Sequence, residues 1–396
     1  MVFQSRCLIL YLLFVVQVGL PHGMAREPEP LVSTVVRPIS SQPLMQAAVD
    51  LYQTRIAEEK LPNAILVVIQ NEQLVLAEAL GWRDKEAGEK MQLDTLLRMA
   101  SNTKAVVATA VLILQQRGLL SIDDPIANYL PAFNNTENGM VTIKQLMTHT
   151  SGWRIKPLFL SPLEEPTPEH PNRPNLVSEV NRFASIAPGV RPGTSYSYNN
   201  AGYNTIGALV EVVSGQSLEE FLSENVYEPL KMDDSSNHPP RDRIDEMSCV
   251  YGTGESTGEW TLRFAREDRM RVPFVRASGG MVSTAEDYAR FCHMFLHGGK
   301  YQGKRILSRS SVRLATSPLT QSIYSDEQQQ QRTWFYGLGW KVGKDGSFSH
   351  TGSEGTFVWV DPQRDVVGMA LTQSAGFDNP RDEFRRAVTV ALDARK

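Results

Sequence analysis

Ser101 and Lys104 stand three residues apart at the start of an apolar run that ends at Gly118. On a helix, residues i and i+3 share a face, so this hydroxyl and this amine can share a hydrogen bond. The chemistry that suits such a pair is attack on a carbonyl. A serine is a weak nucleophile until a neighbour takes its proton, and a lysine can take it only when neutral, a state that burial or nearby cations bring about. Val106, Val107, Val111, Leu112 and Leu114 leave the run almost no polar face. The pattern over 98–118 predicts a buried helix, its positive end favouring negative charge near Ser101 and Gly118 closing it as a C-cap. Alone, the tetrad is weak. A Ser-x-x-Lys arises about once by chance in a chain this long, and an N-capping serine followed by a solvated lysine accounts for it at least as well.

Two further stretches change that balance. Pro192–Tyr203 is a polar loop running into a helix and holds the chain's only Tyr-x-Asn, Tyr198 and Asn200, overlapped by a Ser-x-Asn at Ser197 and Asn199. The other is Ser349-His350-Thr351-Gly352-Ser353, just before an expected strand at Phe357. With Ser-x-x-Lys, Tyr-x-Asn and His-Thr-Gly in this order, the chain resembles the serine β-lactamase and penicillin-binding-protein superfamily. The branch it resembles is the class C one, with its DD-carboxypeptidases, D-aminopeptidases and family VIII esterases. The strings Leu119–Pro125, Leu146–Gly152, Gly279–Thr284 and Tyr336–Trp340 look like its scaffold signatures, so the likeness runs from about Leu44 to the C-terminus.

The resemblance implies roles. Ser101 would attack the carbonyl, while Lys104 and Tyr198 relay its proton and later activate water, a Tyr198 phenolate held by Lys104 being favoured for deacylation although the base stays open. The backbone N–H groups of Ser101 and Ser353, the latter on an edge strand, would hold the oxyanion. Asn200 would bind a substrate amide or acyl group and Thr351 a carboxylate, with His350 and Gly352 completing the substrate side. His350 stands where β-lactamases carry lysine, and histidine is largely uncharged at pH 7. Weak β-lactam turnover is therefore expected. Gly254-Glu255-Ser256-Thr257-Gly258 matches a nucleophile elbow, but it sits between Val250-Tyr251 and a charged run, like a hairpin turn. His149 reads as a structural loop residue, and no His/Cys/Asp cluster shows metal-ligand spacing, so neither metal nor cofactor is expected.

These residues need elements to position them. Arg6, the apolar run Cys7–Leu20 and Gly23-Met24-Ala25 give residues 1–25 the form of a cleaved signal peptide, with residues 26–43 as a Pro/Ser-rich leader; a secreted or periplasmic location follows. A serine hydrolase domain is expected over 44–396. Leu44–Glu59 has helical spacing, and Ala64–Ile69 and Leu74–Leu80 read as a hairpin. Residues 119–276 form a mostly helical lobe, with a capping residue at Thr142 and a capping box at Ser217–Glu220. Within it, Lys156–Pro174 holds six prolines and reads as a loop, either a lid or a surface excursion. Thr284 caps a helix over 285–296, strands follow at 336–342, 357–360 and 366–372, and a helix spans about 381–394. The fold class is α/β in the α+β sense, a β-lactamase/transpeptidase-like antiparallel sheet made by both chain ends, flanked by helices, with an inserted helical lobe.

A net charge of −4 with scattered Lys and Arg implies neither nucleic acid nor an anionic membrane as partner. The expected partner is a small-molecule or peptide substrate. Cys249 and Cys292 either pair or remain buried thiols. The expected function is a secreted serine hydrolase working through an acyl-enzyme on an ester or a D-amino-acid amide. The alternative is a non-catalytic penicillin-binding or scaffold member of the same fold.

Overall fold

The computed structural model describes residues 43–237, 241–253, 260–268, 273–376 and 379–394. Both ends of the chain supply one antiparallel sheet. Its strands are β1 (Asn63–Gln70), β2 (Gln73–Asp84), β3 (Glu89–Lys90), β4 (Trp334–Tyr336), β5 (Lys341–Gly343), β6 (Phe348–Thr351), β7 (Phe357–Asp361) and β8 (Val366–Leu371). Their order across the sheet is β4-β5-β6-β7-β8-β1-β2-β3. The join between the two ends is the β1–β8 pair, with Ile65 opposite Leu371 and Gln70 opposite Val366.

Alternation along β1 divides the core. Ala64, Leu66 and Val68 face a cluster with Met45, Tyr52, Trp359, Phe384 and Val388, contributed in part by the terminal helices α1 (Pro43–Ala57) and α5 (Arg381–Asp393). Ile65, Val67 and Ile69 face the larger core. There α2 (Thr103–Gln116) packs on α3 (Asn200–Ser214), while α4 (Ala285–Leu296) lies on β7 and β8. A strand covered on both faces has no polar side to show, which is why β1 reads as the unbroken run NAILVVIQ.

The sheet assembly and the flanking helices match the expected fold class; several local details differ. Ser101 belongs to a 3-10 turn over Ala100–Asn102, and the α-helix begins only at Thr103. The expected strand over 336–342 is two strands, because Gly337–Trp340 turns back between β4 and β5. The stretch 119–276 also holds strands Val250–Thr253 and Trp260–Phe264, which pair with each other, the first also pairing with Ser374–Ala375. The Gly254–Gly258 pentad lies outside the described residues, between these antiparallel strands, and so do residues 1–42 with the expected signal peptide and most of the leader. Cys249 and Cys292 are free and buried. Among the described residues no helix is long and apolar enough to cross a membrane.

Candidate active site

The Ser101 turn is held from three sides. Met99 N–H donates to Met281 O (2.9 Å), and Met281 N–H donates to Thr103 Oγ1 (3.0 Å). Asn102 Nδ2 donates to Thr356 Oγ1 (2.8 Å), whose hydroxyl in turn lies 3.2 Å from Met99 O. Ala100, just before Ser101, has φ +48°, a conformation an alanine rarely takes and one the surrounding bonds must enforce. Gly352 explains the glycine of His-Thr-Gly. A Cβ there would collide with Thr356 Oγ1 and lie 2.9 Å from Ala100 Cβ and from Met99 O, so only glycine lets the end of β6 reach the serine turn.

Lys104 is fully buried, and its Nζ meets three oxygens: Ser101 Oγ at 3.0 Å, Asn200 Oδ1 at 2.9 Å and Ser278 O at 2.5 Å. Desolvation first, then the Arg276 guanidinium, holds its pKa well below that of an ordinary lysine. A neutral amine has two N–H donors and one lone pair. The amide and carbonyl oxygens of Asn200 and Ser278 can only accept, so they take the two donors and leave the lone pair facing the Ser101 hydroxyl, the one partner able to donate. That is the arrangement a general base needs.

Tyr198 precedes α3, and its ring lies 4.7 Å from Lys104 Nζ. Although 40% of the residue is exposed, enclosure of its hydroxyl end pushes the phenol pKa up, with the Ser101 side chain pulling the other way. The phenol is therefore protonated at rest. His149 fixes this loop on both sides of Tyr198, since its carbonyl accepts from Ser197 N–H (2.9 Å), its Nδ1 accepts from Asn199 N–H (3.1 Å), and its ring lies 4.3 Å from the Tyr198 ring. The two overlapping motif readings separate here. Asn199 turns away to cap α3 through Gly202 N–H (2.9 Å), while Asn200 reaches Lys104.

His350 sits behind the site, not on its surface. Phe348 and His350 share the buried face of β6, and the ring is 1% exposed. Its Nδ1 faces Thr351 O, which can only accept, so Nδ1 carries the proton and Nε2 accepts from Tyr336 O–H (both 2.9 Å). Burial, then Lys104 and Lys341, push its pKa down to about 3, leaving it neutral. Both ring nitrogens are thus taken by protein partners. Thr351 is half-buried at the end of β6, and Ser353 lies in the turn between β6 and β7. The expectation of an edge strand is corrected, because β6 is flanked by β5 and β7.

A cavity of about 900 Å³ opens beside the serine turn, lined by Leu158, Phe159, Leu160, Arg98, Arg276 and Glu354 among others. The proline-rich loop forms one wall. It is tied down, since Leu158 O accepts from Asn204 Nδ2 (3.0 Å) and Pro162 O from Arg182 (2.8 Å), while Arg182 also pairs with buried Glu179 (2.7 Å). Neither reading, lid or surface excursion, describes this part of the loop, which lines the cavity and is held by these bonds. Tyr336, Ser278 and Arg276 escaped the sequence reading as site residues. Tyr336 lies inside a recognised string and Ser278 borders one, but a carbonyl or a distant guanidinium enters a site only through folding.

A family model described as Beta-lactamase matches residues 48–392. Protein Rv1367c of Mycobacterium tuberculosis is 28% identical over 358 residues, covering 79% of this chain and 86% of its own length. Esterase EstB of Burkholderia gladioli is 33% identical over 193 residues, covering 46% and 49% respectively. The solved structure of EstCE1, described as a hydrolase with promiscuous acyltransferase activity, shares the fold with a TM-score of 0.73 and 21% identity, covering 88% of this chain and 99% of its own.

Proposed function

This chain belongs to the Beta-lactamase family, within the serine β-lactamase and penicillin-binding-protein superfamily of hydrolases, and from that premise we propose that it cleaves esters or amides through an acyl-enzyme on Ser101. The observation that carries the reading is buried Lys104, its Nζ 3.0 Å from Ser101 Oγ and its pKa held well below the usual lysine range by desolvation and Arg276. The Ser101 proton passes to Lys104 Nζ as Oγ bonds to the carbonyl carbon. The bond to the leaving group then breaks, and Tyr198, protonated at rest, gives its proton to the departing oxygen or nitrogen and recovers one from Lys104. In the second half, water gives a proton to Lys104 as its oxygen bonds to the acyl carbon, and the acyl–serine bond breaks as Ser101 Oγ takes that proton back. The raised Tyr198 pKa supports Lys104 over a resting phenolate as the base of the first step. The Ser101 and Ser353 N–H groups are the proposed oxyanion donors, since Gly352 brings the β6–β7 turn against Ala100.

An ester is the favoured substrate. The apolar wall of Leu158, Phe159, Leu160 and Phe264 suits an acyl chain. A neutral His350 offers no cation to a β-lactam carboxylate, and one relative is named an esterase. Incubation with a short p-nitrophenyl ester and a fluorescent penicillin tests this, with ester turnover expected and penicillin hydrolysed weakly. Mass spectrometry should find the acyl adduct on Ser101, and Ser101→Ala should lower ester turnover on the order of a thousandfold. Turnover that persists in folded Ser101→Ala sinks the acyl-enzyme. Penicillin labelling of Ser101 without turnover of any ester points instead to a non-catalytic binder.

A further inference from the structure

At the end of the sheet far from Ser101, Glu72 meets two histidines of α4 and its cap. Thr351, Phe357, Leu371 and Ile65 lie near one end of neighbouring strands, whereas Glu72 is at the β1–β2 turn seven residues after Ile65 and roughly 20 Å along the strand. His293 and His297 stand one helical turn apart, and their ring centroids are 4.0 Å apart. Each presents Nε2 at 3.7 Å from the same Glu72 Oε1, too far for a hydrogen bond. His297 Nε2 and His293 Nδ1 are buried without a hydrogen-bond partner. Two nitrogens and a carboxylate oxygen thus lie within 4.8 Å of one another.

We infer that Glu72, His293 and His297 bind a divalent transition-metal ion of the Zn²⁺ type, with water completing the shell. Tetrahedral ligands about 2.0–2.1 Å from zinc lie about 3.4 Å from one another, so the two 3.7 Å nitrogen–carboxylate separations need a small closure and the nitrogen–nitrogen one, within 4.8 Å, closes by side-chain rotation. Two imidazoles and one carboxylate are ligands such metals favour over Ca²⁺ or Mg²⁺. The site also lies at the C-terminal end of α4, where the unsatisfied carbonyls favour positive charge. The ion would clip the β1–β2 turn to α4 without touching the catalytic groups. The sequence hid this because His-x-x-x-His is only two ligands, and the third comes from more than two hundred residues earlier.

The test uses the full chain without a polyhistidine tag, stripped with chelator and titrated calorimetrically with Zn²⁺, with melting temperature followed in parallel. One Zn²⁺ per chain is expected, with a melting temperature that rises with Zn²⁺ concentration. Glu72→Gln, at an exposed turn, and His297→Ala should each weaken binding by about tenfold or more. Absence of saturable binding to the parent chain, or binding that survives either substitution unchanged, overturns the inference.

Discussion

Lys104 is the residue on which the site's chemistry turns, and its three oxygen neighbours make a testable statement about protons. Its depressed pKa means that activity should rise with pH through a value well below that of free lysine, since the unprotonated amine is the active form. Lys104→Arg keeps a cation but cannot lose its proton, and it should abolish ester turnover in a chain that still folds. Wild-type-like rates in that variant would remove Lys104 from the mechanism. His350 gives a stability prediction. Its folded value of about 3 lies below the ordinary histidine value of about 6.5, so between the two the unfolded chain holds a proton that the folded chain does not. Stability should therefore fall as pH drops from about 6.5 toward about 3. His350→Gln should reduce the slope of melting temperature against pH over that range. Some slope will remain, because His149 and His293 are shifted the same way. An unchanged slope would mean that His350 is not buried neutral. Ser101, Lys104, Tyr198 and Asn200 were legible in the sequence because side-chain type and short spacing announce them. The placing of His350 behind Tyr336 was not, because it depends on which face of a strand is covered.

At the scale of elements, the serine turn and β6 must touch, and Gly352 is the point of contact. Gly352→Ala should force the β6–β7 turn away from Ala100, lowering kcat by about 100-fold with a smaller effect on melting temperature, as misplacement of reacting groups does. Normal kcat in this variant would show that the contact is slack. The wall loop gives a second test. Arg182 ties the carbonyls of Leu160 and Pro162 to Glu179, so Arg182→Ala should raise KM for a long-chain ester while leaving kcat nearly unchanged. A fall in kcat with unchanged KM would contradict the loop's role as a substrate wall. The proline content marked this segment as irregular backbone. Only the hydrogen bonds to Arg182 and Asn204, both remote in sequence, distinguish a fixed wall from a lid.

Across the whole molecule, the sheet depends on two chain ends meeting at the β1–β8 pair, and the terminal helices cover one face of that join. Phe384 of α5 is buried there, with its ring 5.5 Å from that of Tyr52 and 5.8 Å from that of Trp359. Phe384→Ala should cost about 3–5 kcal/mol in urea unfolding, while the folded fraction keeps its kcat, because the cluster lies on the opposite face from α2. Loss of kcat in proportion to stability would mean that the two faces of the sheet do not act separately.

The sequence by itself determined the candidate nucleophile and its neighbours, the antiparallel sheet built from both ends and the helices around it. These follow from local signals: motif spacing, apolar periodicity of 2 or 3.6 residues, and caps. Tertiary structure alone decided that Lys104 Nζ faces three oxygens, that His350 is buried against Tyr336, and that Glu72 meets His293 and His297. Each of those facts joins residues from distant parts of the chain, where burial and approach through space, not spacing along the backbone, fix protonation and geometry.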